Sequence, residues 1–345
     1  MRIAGIAAAY PTNVVSNDQI LQKILEQSAS TFIGDLQHLR RALEIQFELI
    51  GIRERRICKP GESALPYILG ACREAIQRSN VSPGDIDLVI YAGVCRGFLE
   101  PAMAYVVADA MGVQSAHCFD VLEACMSWTR ALFVAETLLK TGAYRCVLVV
   151  TGEMSVSQLP DVNYRIETLL ELKHRFIGFT LGDASSATVV TGEGGDWEFN
   201  FFSVTAGQNL CYLPLPWSED YAHRPRLASC EPFTFYAHYD EMMKLGMEFG
   251  FRMSRAFRHV IGDASLVDQI FCHSDQMASY RAWARSWGAE EKLYLTFCEH
   301  GNCASSCVPL GMANAWTQGA LQRGSRVAVM VVSAGIACAL VSFEF

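Results

Sequence analysis

One order of elements occurs twice along this chain. In the first half an apolar strand, IDLVIYA (86–92), leads to a helix stopping at Met111-Gly112 and a strand that gives way at Cys125 to a second helix. The turn TGAYR, the strand VLVV and TGE follow. In the second half VDQIFCHS leads to a helix stopping at Trp287-Gly288, then to a strand followed by His300-Gly301-Asn302, a helix, QRGSR, AVMVV and SAG. A repeat of about 65 residues implies two copies of one supersecondary unit packed together. Alternating strands and helices predict parallel sheets with crossover helices. Strands such as VLVV, apolar on both faces, suit the interior of such sheets. The fold class is α/β, with two βαβαβ halves related by a pseudo-twofold axis. GEGGDW (192–197) is the natural boundary, dividing the chain into 1–194, which holds the cysteine, and 195–345, which holds the histidine and asparagine.

The remaining segments fill in around this frame. Residues 2–10 read as a first strand; the apolar run of MRIAGIAAAYPTN ends too early, at Pro11, for a secretory leader. Residues 17–42 read as mostly helical, 51–63 as a charged surface loop, and 63–78 and 102–111 as helices. Residues 155–178 form an insertion around helical turns, and 178–190 a Gly-Asp turn followed by a strand. In the second half, strands are expected near 199–205, at 266–272 and at 294–297, with helices at 239–261 and 277–287. An irregular stretch rich in proline and aromatic residues spans 209–236. Residues 327–343 carry no charge, but Ser333-Ala334-Gly335 breaks them. They read as two buried strands joined by a tight loop and not as a membrane span.

Composition excludes several functions. The net charge is -8, against a general nucleic-acid binder. The 13 cysteines are odd in number and form no C-x-x-C pair. The spacing of Cys298, Cys303 and Cys307 fits no common zinc site, so no metal or other cofactor is expected and the thiols read as reduced in a cytoplasmic protein.

Three polar groups fall at the carboxyl ends of strands, where functional groups of open α/β sheets collect. Cys125 stands at a strand–helix junction among small residues, either as a core thiol or as a nucleophile whose thiolate the helix N-terminus favours. His273 follows a strand directly, and Asn302 follows another. A thiolate, an imidazole and an amide suit acyl-thioester chemistry: the thiolate attacks a carbonyl, and the other two hold or protonate its oxygen. Taken singly, each has a plainer reading, as an inert thiol, a core imidazole or a turn residue. Glu123, two residues before Cys125, would raise the thiol pKa if it faced it. The arginines at 252, 255, 258, 281 and 285 read equally as a docking face for an acidic partner or as solvated helix faces.

GIRERRI (51–57), EACMSW (123–128), LGDASSATVV (181–190), His273 and HGNCASSCVP (300–309) stand in an order and at spacings that resemble the β-ketoacyl-acyl-carrier-protein synthase III family of the thiolase superfamily. The resemblance implies a thiolase-like, five-layered αβαβα sandwich, a homodimer and a Cys–His–Asn triad. Cys125 would be the acylated nucleophile. His273 and Asn302 would bind the second thioester's carbonyl and support decarboxylation, and the backbone N–H groups of Cys125 and Gly335 would form an oxyanion hole. Phe98 would lie in the loop that crosses the dimer to close the partner's acyl pocket, and reads equally as part of a plain surface loop. Departures accompany the match. Ser274-Asp275-Gln276 stands where the family has Gln-Ala-Asn, leaving Gln276 as a substrate-binding candidate. The glycine-rich loop is reduced to Ser333-Ala334-Gly335, and an insert at 32–50 lacks the tryptophan that stacks on adenine. These features point to a ping-pong acyltransferase of natural-product, polyketide-type or antibiotic biosynthesis. Its donor would be an acyl carrier protein or acyl-CoA, and its acceptor a small molecule. The alternatives are decarboxylative Claisen condensation with a malonyl thioester, and a non-catalytic partner subunit.

Overall fold

The computed structural model describes the backbone of all residues except 155, 224–230 and 274–276, and the side chains of these except 243, 246–254 and 260. Gln276 therefore lies outside the described residues. The chain opens with β1 (Arg2–Ala9) and β2 (Val14–Ser16). Ser16 caps α1 (Asn17–Ser28), its hydroxyl accepting from the Gln19 N–H while the Gln19 side chain accepts from the Ser16 N–H. Asp35 caps α2 (Leu36–Ile50), which ends at Gly51 with φ 82°. The stretch read as helical over 17–42 is thus two helices, and the second carries most of the 32–50 insert. β3 (Glu54–Arg56) pairs with β2, and α3 (Leu65–Ser79) follows.

Sheet one then builds up from β4 (Leu88–Ala92), β5 (His117–Val121), β6 (Cys146–Glu153) and β7 (Ala184–Thr191), in the order β1-β7-β6-β4-β5. α4 (Met103–Ala110) and α5 (Ser127–Lys140) are its crossovers, and α6 (Leu169–Arg175) lies in the insertion before β7. Sheet two begins at β8 (Glu198–Ser203). The 209–236 stretch is not wholly irregular, since β9 (Cys211–Tyr212) pairs with β10 (Tyr236–Ala237). α7 (Tyr239–Val260), β11 (Gln269–Cys272), α8 (Met277–Ser286) and β12 (Leu293–Tyr294) follow. Next come α9 (Phe297–His300), α10 (Cys307–Thr317), β13 (Arg326–Ser333) and β14 (Ala337–Glu344). The order is β12-β11-β13-β14-β8. Strand for strand this reproduces sheet one, with β1, β4, β5, β6 and β7 answered by β8, β11, β12, β13 and β14.

Two expectations are corrected. The sheets are mixed and not wholly parallel: β4, β5 and β6 are parallel, as are β11, β12 and β13, but β7 and β1, and β14 and β8, run antiparallel to their neighbours. The connection from β13 to β14 is too short for a crossover, so the chain can only return antiparallel. The strand expected at 294–297 ends at Tyr294, and residues 297–300 form a helical turn.

Five layers result. α3 and α4 cover the outer face of sheet one through Ile68, Ala75 and Val107 against Val89, Leu148 and Val150. α7 and α8 cover sheet two through Phe257 and Tyr280, packed in one cluster with Ile270, Met330 and Leu340. Between the sheets lie α5 and α10, whose Trp128, Leu132, Val308 and Met312 join Ile90, Val149, Val329 and Val341 in one buried cluster. Alternation along β4 explains the division: Leu88, Ile90 and Ala92 face the centre, while Val89 and Tyr91 face outward. Each fully buried aliphatic side chain contributes about 1.5–3 kcal/mol. The Trp128 indole N–H, buried with the rest, donates to Thr188 Oγ1 at 3.0 Å. Among the described residues no helix is long and apolar enough to cross a membrane.

Candidate active site

Cys125 is the middle residue of a 3-10 turn, Ala124–Met126, that runs straight into the 14-residue helix α5. Ala124 has φ 47°, a left-handed conformation that only a tightly held turn keeps in a residue other than glycine. Ser127 supplies the hold: its hydroxyl accepts from the Glu123 N–H at 2.8 Å and donates to the Ala124 carbonyl at 2.7 Å. The half-buried thiol stands at the positive end of the α5 dipole. Glu123 does not act as an uncompensated charge beside it. Its carboxylate pairs with Arg130 in a bidentate bridge of 2.5 and 3.1 Å, and the guanidinium lies 3.7 Å above the Phe201 ring.

His273 is the first residue past β11, and its N–H extends the ladder to the Met330 carbonyl at 2.9 Å. The side chain is 3% exposed. Burial lowers its pKa to about 4, opposed by the backbone of Ala304, and Nδ1 has no hydrogen-bond partner among the described residues. The imidazole is therefore neutral at pH 7. Asn302 is held by its backbone: its N–H donates to Thr180 O at 2.8 Å and its carbonyl accepts from the Gly182 N–H at 3.0 Å. This crossing explains two glycines. A Cβ on Gly182 would lie 2.0 Å from His300 O, and one on Gly301, which has φ 69°, would lie 2.4 Å from Thr180 O. The Asn302 Oδ1 accepts from the Ala304 N–H at 2.9 Å.

Ala304 thus touches both groups, and its turn, Ala304–Ser306, packs on the turn that carries Cys125. Ser333 closes the circle by donating its hydroxyl to Glu123 O at 3.0 Å. The turn that carries Cys125 and the turn whose Ala304 contacts His273 and Asn302 thus meet between the two halves. Asn302 follows the helical turn α9, not a strand as the sequence suggests. Gly335 sits at the tip of the β13–β14 hairpin, φ 80°, two residues beyond Ser333. Phe98 lies in the exposed loop after β4 and lines a separate cavity of about 270 Å³ with Ile68, Met103 and Met154. Of the arginines, 255, 258 and 281 are exposed, whereas Arg285 is occupied by Glu290 at 2.7 and 2.8 Å. The side chain of Arg252 lies outside the described residues. Among the described residues no cluster of three or more His, Cys, Asp or Glu side chains could hold a metal.

Sequence reasoning missed two groups. His300 is 5% exposed, with its pKa lowered to about 4 by burial and then by Arg56, and its ring meets Tyr10 edge-on at 4.5 Å. Glu153, at the end of β6, lies buried 2.5 Å from the Ser305 hydroxyl. The strand–turn–helix match of Ala124-Cys125 with Ala304-Ser305 could have pointed to Ser305; nothing in the sequence points to its partner.

Doubled βαβαβ halves enclosing two central helices define a thiolase-like protein. Solved structures share this fold. The chain matches OleA of Xanthomonas campestris with bound lauric acid and lauroyl-CoA at a TM-score of 0.80 and 22% identity, covering 99% of this chain and 98% of that one. It matches 3-oxoacyl-[acyl-carrier-protein] synthase III of Aquifex aeolicus at 0.79 and 21%, covering 100% and 99%. A family model of 3-oxoacyl-[acyl-carrier-protein (ACP)] synthase III matches residues 119–209, and that of its C-terminal part matches 263–345. β-Ketoacyl-[acyl-carrier-protein] synthase III of Symbiobacterium thermophilum is 30% identical over 97% of this chain and 94% of its own length. That of Clostridium acetobutylicum is 25% identical over 97% and 96%. The chain belongs to the 3-oxoacyl-[acyl-carrier-protein] synthase III family.

Proposed function

We propose that the chain is a ketosynthase III-type acyltransferase working through an acyl-thioester on Cys125, with decarboxylative condensation as its second half-reaction. The supporting observation is that one turn, at Ala304, contacts both the neutral imidazole of His273 and the amide of Asn302 while packing against the Cys125 turn. In the first half-reaction Cys125 Sγ attacks the donor thioester's carbonyl and the donor thiol leaves with a proton. In the second, a malonyl thioester loses its carboxylate as CO2. The electron pair of the broken C–C bond moves onto the thioester oxygen, which N–H donors of His273 and Asn302 stabilise. The resulting enolate attacks the acyl carbonyl and the Cys125 thiolate departs. Such donors typically contribute about 10²–10³ in rate each. Backbone N–H groups of Cys125 and Gly335 form the oxyanion hole in this reading.

The donor is an acyl-carrier-protein or CoA thioester, in keeping with the names of the relatives. Carrier docking near the exposed Arg281 and a cytoplasmic location belong to the same reading. A homodimer does too: β5 is the edge strand of sheet one, and Leu122 beside it is 62% exposed. A second reading, transfer to a hydroxyl or amine of a small molecule in natural-product biosynthesis, is favoured by the long aromatic 209–236 stretch and the helix that replaces a tryptophan-bearing loop. In it His273 serves as general base. A non-catalytic subunit would have no use for the strained Ala124 turn.

The test is intact mass after incubation with acyl-CoA and acyl-carrier thioesters. A gain equal to the acyl group, absent in Cys125→Ala, is expected; no adduct with any donor would defeat both enzymatic readings. CO2 release from malonyl thioester by the acylated protein separates them. If none appears while an alcohol or amine becomes acylated, condensation is wrong.

A further inference from the structure

The Cys125 turn has a double. Ala304-Ser305-Ser306 is also a 3-10 turn, opens on an alanine with φ 43° against 47° at Ala124, and runs into α10 as the other runs into α5. Ser305 therefore occupies in the second half the place that Cys125 occupies in the first. Its surroundings are closed. Ser305 is 2% exposed, and its hydroxyl lies 2.5 Å from Glu153 Oε1 and 3.1 Å from Ala92 O. Glu153 ends β6, the strand that corresponds to β13, and is itself 3% exposed. Among the described residues its carboxylate forms no ion pair; it accepts from the Val94 N–H at 3.0 Å and the Cys95 N–H at 3.1 Å. Gly93 is confined by the same group, since a Cβ there would lie 2.8 Å from Glu153 Oε1.

A buried carboxylate is costly unless its hydrogen bonds are satisfied. Here they serve to pin a serine at the centre of a left-handed turn, and the residue before that serine contacts both His273 and Asn302. Neither Ser305 nor Glu153 needs to reach a substrate to matter. We propose that Ser305, fastened by Glu153, is a positioning residue: it holds the Ala304 turn in the strained form that sets His273 and Asn302 together for the second half-reaction, while leaving the loading of Cys125 to the opposite turn. The inference rests on the reading of Cys125, His273 and Asn302 given above.

The experiment uses Ser305→Ala, which removes the hydroxyl and keeps the Glu153 contacts to Val94 and Cys95. Three readouts are compared with wild type. Acyl loading of Cys125, by intact mass, is expected to stay within about twofold. CO2 release from malonyl thioester by the acylated protein is expected to fall about 10- to 100-fold in kcat, the size of effect that small misplacements of reacting groups produce. The His273 titration, followed by NMR, is expected to move from about 4 towards the ordinary 6.5 as the turn loosens and water enters. Unchanged CO2 release with an unchanged His273 titration overturns the proposal. A parallel loss of loading, CO2 release and melting temperature also overturns it, by showing a general structural role. If wild type takes up no acyl group, the enzymatic reading fails by itself, and the His273 titration still decides whether Ser305 positions that ring. Should Ser305→Ala not fold, Ser305→Cys keeps the shape and a weak donor; it is expected to give the same pattern at smaller amplitude, and wild-type behaviour in both CO2 release and titration refutes the proposal.

Discussion

Lowering the pH from 7.5 to 5 is expected to remove about 4 kcal/mol of folding stability through two imidazoles. His273 and His300 are buried, and burial brings each pKa down to about 4, against 6.5 ordinarily. Both groups bind a proton more readily in the unfolded chain. The stability linked to them is therefore complete above about 6.5, declines as the pH falls below that value, and stops declining near 4. Integrated from 7.5 to 5, each imidazole accounts for about 2 kcal/mol, and the two together remove a sizeable share of the roughly 5–15 kcal/mol typical of native proteins. Three carboxylates fall below this window. Glu62, Asp263 and Glu290 lie below their ordinary values of 4.5, 3.8 and 4.5, so what they contribute is present above those values and lost beneath them. The assay is denaturant unfolding followed by tryptophan fluorescence at several pH values, repeated on His273→Gln and His300→Gln. Each variant is expected to flatten the profile by about half. A stability constant to within about 0.5 kcal/mol across the interval, or variants with the wild-type slope, would refute the linkage.

Two further outcomes follow from the packing. Gly182→Ala forces a Cβ to within 2.0 Å of the His300 carbonyl and disrupts the crossing that holds Asn302. A loss of more than about 3 kcal/mol is expected in thermal or chemical melting, and a wild-type midpoint would show that the crossing relaxes freely. If β5 pairs with its counterpart in a second chain, Leu122→Glu is expected to turn a dimer of the 38.2 kDa chain into monomers in light scattering, whereas a monomeric wild type would remove the basis for that pairing.

The repeat was legible because apolar strands and crossover helices impose their own periodicities, and these survive divergence of the surface. The sense of β7 and β14 does not follow from the repeat itself; for β14 it follows from the short break at Ser333-Ala334-Gly335, which requires an antiparallel return. The strand expected at 294–297 failed because LYLTFC has strand-like residues, while the backbone tie between Asn302 and Thr180 belongs to tertiary structure. Cys125, His273 and Asn302 could be placed at comparable ends of elements by counting along the repeat. What neutralises Glu123 could not: Arg130 reaches it only because the 3-10 turn bends the chain back before α5 begins. Glu153 and Ser305 are 152 residues apart, with no local pattern to join them.

The central layer carries a consequence for how the chain can be divided. α10, from the second half, lies against β1 and β7 of the first, and Phe133 on α5, from the first half, packs its ring 5.4 Å from both Phe199 and Phe201 on β8 of the second. The halves share their central helices: α5 also packs on β4, β5 and β6 of its own sheet, and α10 on β11 of its own, so each helix bridges the two sheets. A break at 192–197 would sever the covalent thread and leave this shared packing intact, while truncation at the same place would strip the apolar inner face of β1, Ile3 and Ile6, of its cover. The repeat is legible in the linear order of the chain, but the unit that folds is the interlocked pair.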